Sequence, residues 1–172
     1  MRSLYENGFA NQPTSLHRRD GLVLYDAYIT AALRCAPPAN KPTPQELSNC
    51  RPYFLQELQL LSRVHVVVAL GRIAFDAYLK ARGLVGLPVP PPRPKFGHHR
   101  MYHLSDGVTL IASYHPSRQN TQTGKLTRPM LDAVFTAARR TLTESKHHDL
   151  SSPPRGPQRR WRPDPEKETT PR

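Results

Sequence analysis

A chain of 172 residues has the size of one domain, since domains commonly run to about 100–200 residues. Its hydrophobic content of 37%, its 19 prolines and its net charge of +12 leave no apolar stretch near the ~20 residues of a membrane span, and two cysteines make no disulfide framework. A basic chain points instead to a polyanionic partner, nucleic acid ahead of membrane, with a solvated basic surface as the plain alternative.

The N-terminal stretch "MRSLYENGFANQ" has no signal-like apolar core, so the expected setting is the cytoplasm. The first apolar run is "AYITAAL", residues 27–33, which reads as a strand. A helix start follows at "TPQE": Thr43 at N-cap, Pro44 at N1 and Glu46 at N3 form a capping box. Pro52 should interrupt that helix and force a second start near it. Beyond it, Leu55, Leu58 and Leu61 make a stripe at helical spacing.

The second apolar run, "VHVVVAL" at 64–70, is the stronger strand. Gly71 follows it directly and opens a helix, "RIAFDAYLKARG", that Gly83 should close. "LPVPPPRPKFGHH", residues 87–99, reads as an extended connection. The third run, "VTLIASY" at 108–114, is again a strand. Thr127 and Pro129 start a last helix with Met130, Leu131, Val134, Phe135 and Ala138 on one face. Near-continuous apolar strands alternating with helices predict an α/β fold with a mostly parallel sheet. Residues 1–143 would form this domain. Residues 144–172 hold six of the 19 prolines and seven cations against five carboxylates, which predicts a disordered basic tail and leaves +10 on the body.

In a parallel sheet the ligand sits beyond the carboxyl ends of the strands. His115 lies there, in "SYHPSRQNTQTGKLT" (113–127). With Ser117, Arg118, Asn120, Thr121, Gly124 and Lys125 nearby, the segment can bind phosphates and present an imidazole to a base or sugar. A His-Pro structural turn is an equal alternative. Cys35 and Cys50 read as two free thiols, too far apart in sequence for a zinc knuckle.

Taken together, "ITAALRCAPPANKPTPQELSNCRPYFLQEL", "VVVALGRIAF", "FGHH" and "SYHPSRQNTQTGKLT" resemble the iron–sulfur uracil-DNA glycosylases, in their family-5 (type b) branch, from about Leu4 to Arg140. The resemblance implies a three-layer α/β sandwich acting as a monomer on DNA. The enzyme would flip a uracil, or another deaminated base, out of the duplex and hydrolyse its N-glycosidic bond. His115 matches the histidine that hydrogen-bonds the departing base. Ser117, Arg118, Gln119, Asn120, Thr121 and Lys125 match the segment that grips DNA. Ala31 and His98 match the substrate pocket, with Ala31 standing where type-a enzymes carry an Asn that reads uracil. Cys35 and Cys50 match two of the four ligands of a 4Fe–4S cluster.

The same resemblance implies a difference. The family carries an N-terminal segment with two further cysteines, a central strand and a Gly-Pro-rich motif bearing a water-positioning acid. Nothing in these 172 residues matches that segment. The strand would stand between 27–33 and 64–70, so two unpaired strand edges are expected. The alternative to a working glycosylase is a catalytically inactive, DNA-binding relative.

Overall fold

The structure, a computed structural model, describes residues 1–35, 37 and 42–149, with side chains through Lys146. In chain order the elements are α1 (Arg2–Glu6), α2 (Pro44–Leu60), β1 (Val66–Leu70), α3 (Arg72–Leu84), β2 (Met101–His103), β3 (Thr109–Ser113), α4 (Arg118–Gln122) and α5 (Arg128–Asp149).

The sheet order is β1-β3-β2. β1 runs parallel to β3, with Val66 opposite Thr109 and Leu70 opposite Ser113. β2 runs antiparallel to β3, so the sheet is mixed rather than mostly parallel. The reason lies in the proline-rich connection, which turns back into the three-residue β2 instead of staying outside the sheet. Tyr102 anchors it, its hydroxyl receiving the Lys95 N–H at 3.1 Å.

β3 is the central strand and all five of its residues are buried. Strand side chains alternate between faces, and here the two faces enter two cores. Val67, Ala69, Leu110 and Ala112 join Phe54 of α2 and Phe75 and Leu79 of α3. Val66, Val68, Leu70 and Ile111 join Phe9 and, from α5, Val134, Phe135 and Ala138. Helices thus cover both faces of the sheet, the expected α/β sandwich. Among the described residues no helix is long and apolar enough to cross a membrane.

Several expectations need correction. Residues 27–33 form no strand. A strand exists only where a neighbour offers a hydrogen-bonding edge, and no described strand stands beside this segment. Tyr28 and Ile29 are more than half exposed. Side chains hold the segment instead: Glu57 of α2 accepts from Tyr28 Oη at 2.9 Å, and from Thr30 and Arg34. Those donors, Thr30 first, hold the Glu57 carboxyl below its ordinary range. The outer edge of β1 meets no strand among the described residues.

Pro52 does not break α2, which is one helix of 17 residues. A mid-helix proline costs ~3 kcal/mol, but a local cap holds the first half and core packing the second. The capping box fixes the first, with Thr43 N–H on Glu46 Oε2 at 2.7 Å and Glu46 N–H on Thr43 Oγ1 at 3.2 Å. Phe54, Leu55 and Leu58 bury the second in the core. α3 ends at Leu84 rather than at Gly83, and Gly86 supplies the positive φ of +76° beyond it. α5 continues through Asp149, past the expected boundary at 144; residues 150–172 lie outside the described residues.

A buried cation was not anticipated. Arg82 is fully buried. Its guanidinium donates to Asp106 Oδ2 at 2.8 Å, Tyr78 Oη at 3.2 Å and the Pro88 carbonyl at 3.0 Å. It ties the end of α3 to the proline-rich connection and to the β2–β3 turn.

Candidate active site

The site stands at the carboxyl ends of β1 and β3. Gly71 caps α3 immediately after β1 and donates its N–H to the Ser113 carbonyl at 2.8 Å. Its φ of +105° and ψ of 160° belong to a region open essentially to glycine alone. A Cβ built there would meet His115 Cβ at 3.1 Å. So the β1–α3 turn is pressed against the histidine that follows β3, and the missing side chain is what permits the approach.

His115 is exposed. Its carbonyl oxygen accepts from the Ser117 N–H at 2.8 Å and from Asn120 Nδ2 at 2.8 Å. Two donors on one carbonyl fix the backbone that carries the imidazole. Asn120 is itself placed because residues 118–122 are helical: Ser117 is the N-cap of α4, its hydroxyl accepting the Asn120 N–H at 3.3 Å. Thr121 Oγ1 bonds back to the Ser117 and Arg118 carbonyls at 3.0 Å each. The expected contact segment therefore splits in two. Ser117, Asn120 and Thr121 are engaged in shaping the turn, whereas Arg118 and Gln119 are exposed and their side chains make no polar contact among the described residues. Lys125 lies over the Tyr114 ring, 5.3 Å from its centroid.

His98 is half-buried behind the strand end. Its Nδ1 accepts the Tyr114 N–H at 3.2 Å, and its ring stacks on Tyr114 with centroids 5.0 Å apart. Burial, and then the neighbouring His99, hold its pKa below the ordinary histidine value. It supports the residue next to His115. Ala31 is exposed on the unpaired 27–33 segment, and no hydrogen bond joins it to the His115 turn among the described residues.

Cys35 and Cys50 come together although 14 residues separate them in sequence. The Arg34 N–H points at Cys50 Sγ at 3.4 Å. Partial desolvation, the nearby Cys50 charge and a hydrogen bond to Cys50 raise the Cys35 thiol pKa. Two thiols are half of what an iron–sulfur cluster takes. Among the described residues no group of three or more His, Cys, Asp or Glu side chains could hold a metal ion. The residues present do not by themselves fit the cluster.

A groove of about 480 Å3, lined by Arg72, Asp76, Arg93, Pro94, Lys95 and Phe96, starts at the residue after Gly71. Nothing in the sequence reading singled out these side chains. The alternation of cations and prolines in "PPRPKF" was the available signal.

Fold and site together define an α/β domain with a histidine-bearing, cation-flanked site at the carboxyl ends of a parallel strand pair. A profile of the uracil DNA glycosylase superfamily matches residues 1–139, and the chain belongs to that superfamily. Within it the chain falls on the type-5 side. It is 51% identical over 137 residues to the type-5 uracil-DNA glycosylase of Thermus thermophilus, covering 80% of this chain and 60% of that protein. Against the type-5 enzyme of Mycobacterium tuberculosis it is 42% identical over 139 residues, covering 80% and 50%. A type-4 enzyme of Archaeoglobus fulgidus is 34% identical over 98 residues, covering 56% and 48%. The chain thus spans between half and three-fifths of the length of the type-5 relatives it matches.

Proposed function

We propose that this chain carries the base-leaving side of a uracil-DNA glycosylase site, with DNA as its partner. The observation that supports this most is the position of His115: exposed, just past β3, its carbonyl held by Ser117 and Asn120, and Gly71 packed against its Cβ. In N-glycoside hydrolysis the C1′–N bond breaks, its electron pair leaves with the base, and water bonds to C1′. Negative charge then grows on the base carbonyl oxygen. A preorganised donor to that oxygen is worth about 2.7–4 kcal/mol of barrier, and the His115 imidazole is the donor proposed here. Arg118, Gln119 and Lys125 supply contacts to the strand, while Ser117, Asn120 and Thr121 shape the turn that presents them. Ala31 leaves the uracil edge without an amide partner, which favours a broader range of deaminated bases. Cys35 and Cys50 stand where the resemblance implies two of four cluster ligands, and by themselves they are not proposed to hold the cluster.

A second reading, a DNA-binding protein without activity, draws on the charge. The net charge is +12, and the one carboxylate lining the neighbouring groove, Asp76, faces Arg93 at 3.5 Å. The discriminating experiment is a single-turnover assay on a uracil-containing oligonucleotide. Abasic product supports the glycosylase reading. Binding without product, in a folded form of the protein that also carries the acid-bearing motif, supports the second reading and sinks the first.

A further inference from the structure

We infer that His98 is a positioning residue for the step proposed at His115: its ring closes the end of β3 in place of a backbone carbonyl, and so sets where His115 stands. The inference rests on the reading of His115 as the group that meets the leaving base, and adds to it the side chain that holds the strand end.

The ladder shows how the place arises. On the β1 side of β3, the Ser113 carbonyl receives the Gly71 N–H at 2.8 Å. On the β2 side, Ala112 donates to the Arg100 carbonyl at 2.8 Å, and its own carbonyl receives the His99 N–H at 2.7 Å. Backbone groups alternate between neighbours along a strand, so the next amide to face the β2 side is that of Tyr114. The chain leading into β2 has turned there, at His99, whose φ of +58° lies in the left-handed region. The acceptor that Tyr114 meets is therefore a side chain, His98 Nδ1 at 3.2 Å. A backbone amide can only donate, so Nδ1 is the bare nitrogen of the neutral ring and the proton sits on Nε2. Ser113 Oγ lies 3.5 Å from Nδ1 but donates to the Tyr114 carbonyl at 3.0 Å, which leaves Nδ1 to the amide.

His98 holds Tyr114 a second time, by stacking on its ring at 5.0 Å and 25°. Phe96, packed on the fully buried Phe75, meets the same ring at 6.2 Å, and Lys125 lies over it at 5.3 Å. Tyr114 is thus fixed by backbone and by ring, whereas the His115 side chain just beyond it is exposed. An imidazole differs from a carbonyl in that one proton abolishes it as an acceptor. Burial favours the neutral ring; His99 is the neighbouring charge, the Met130 backbone at the start of α5 faces the ring, and no carboxylate acts on it among the described residues. A protonated His98 would turn an N–H toward the Tyr114 N–H, and the setting of His115 would be lost.

Nuclear magnetic resonance of the isotope-labelled full chain, titrated from neutral pH downward, tests this with two variants. His98→Asn keeps an acceptor near the place of Nδ1 and does not titrate; His98→Phe keeps the stacked ring and loses the acceptor. In the unaltered chain the Tyr114 amide and the His115 backbone resonances should move together as pH falls below about 6.5. His98→Asn should abolish that shared transition and keep the neutral-pH positions, and His98→Phe should show displaced positions at every pH. His115 resonances unchanged in His98→Phe, or a transition retained in His98→Asn, would overturn the positioning role. In a form of the protein that shows activity, His98→Phe should slow single turnover by up to about 10²-fold with DNA affinity unchanged, and His98→Asn should restore the rate. An unaltered rate in His98→Phe would also overturn the role. The resonances are read without substrate, so their failure leaves the functional reading intact, and absence of uracil release from every folded form would overturn that reading alone.

Discussion

Gly71 and His115 belong to different connections, yet a single added carbon at position 71 would lie 3.1 Å from His115 Cβ. The contact joins the β1–α3 turn to the turn after β3, and with it the basic groove to the histidine. Gly71→Ala should therefore act twice. The backbone conformation costs about 1–3 kcal/mol for a residue with a side chain, and the added methyl displaces His115. The expected outcome is a lower urea midpoint together with shifted His115 ring resonances. An unchanged midpoint would show that the turn relaxes freely.

His115→Ala should separate chemistry from binding. The imidazole is proposed to meet charge that exists mainly in the transition state, so single-turnover rates should fall by about 10²–10³-fold with DNA affinity nearly unchanged. Arg118→Ala should do the converse, weakening binding to all sequences. If His115 is only a turn residue, its variant will lose melting temperature and rate together. The measurement is single-turnover kinetics beside thermal melts, in a form of the protein that shows activity.

The buried Arg82 sets a prediction about stability. Asp106→Ala should destabilise by on the order of 3 kcal/mol, because it strips a buried guanidinium of its carboxylate. Arg82→Met, which removes the charge and keeps most of the volume, should cost less. Urea unfolding of the two variants checks the order. The reverse order would mean that the cation's bonds to Tyr78 and Pro88 outweigh the ion pair.

His98 makes stability depend on pH. Its pKa in the fold lies below the ordinary 6.5, first because of burial and then because of His99. The unfolded chain therefore takes up the proton more readily than the folded one. The stabilising contribution is present above about 6.5 and is lost as pH falls through the lower folded value. Protonation also removes the Nδ1 acceptor of the Tyr114 N–H. Melting temperature should drop as pH falls below about 6.5, and His98→Gln should flatten that part of the curve. Carboxylates held low, such as Glu57, act further down in acid.

Anaerobic reconstitution with iron and sulfide should leave the chain without stoichiometric iron, since Cys35 and Cys50 are its two cysteines. Iron analysis with visible absorbance is the check. One cluster per monomer would contradict the expectation; one per dimer would show two half-sites shared between copies.

Much of the fold was legible where the cause is local. Thr43, Pro44 and Glu46 announce a helix start because the capping bonds run between residues three apart, and the structure forms them. Val66–Leu70 and Thr109–Ser113 announce strands because their side chains suit a sheet covered on both faces. Residues 27–33 misled for the same reason: the apolar pattern is that of a strand, but a ladder needs a neighbour that the segment does not report. Pro52 misled in the opposite sense, since a local penalty of a few kcal/mol was outweighed by capping and core contacts spread along α2.

The sequence by itself determined the α/β character, the place of His115 beyond a strand end, and a resemblance specific enough to indicate the superfamily, because these rest on order and spacing along the chain. Only the tertiary structure decided what stands beside what. It brought Gly71 to His115 and Cys35 to Cys50, enclosed Arg82, engaged Ser117, Asn120 and Thr121 in the turn after β3, and lined one groove with Arg72, Arg93 and Lys95. Those juxtapositions are set by how the sheet pairs and how its helices pack across it, interactions between residues far apart in sequence that no local propensity records.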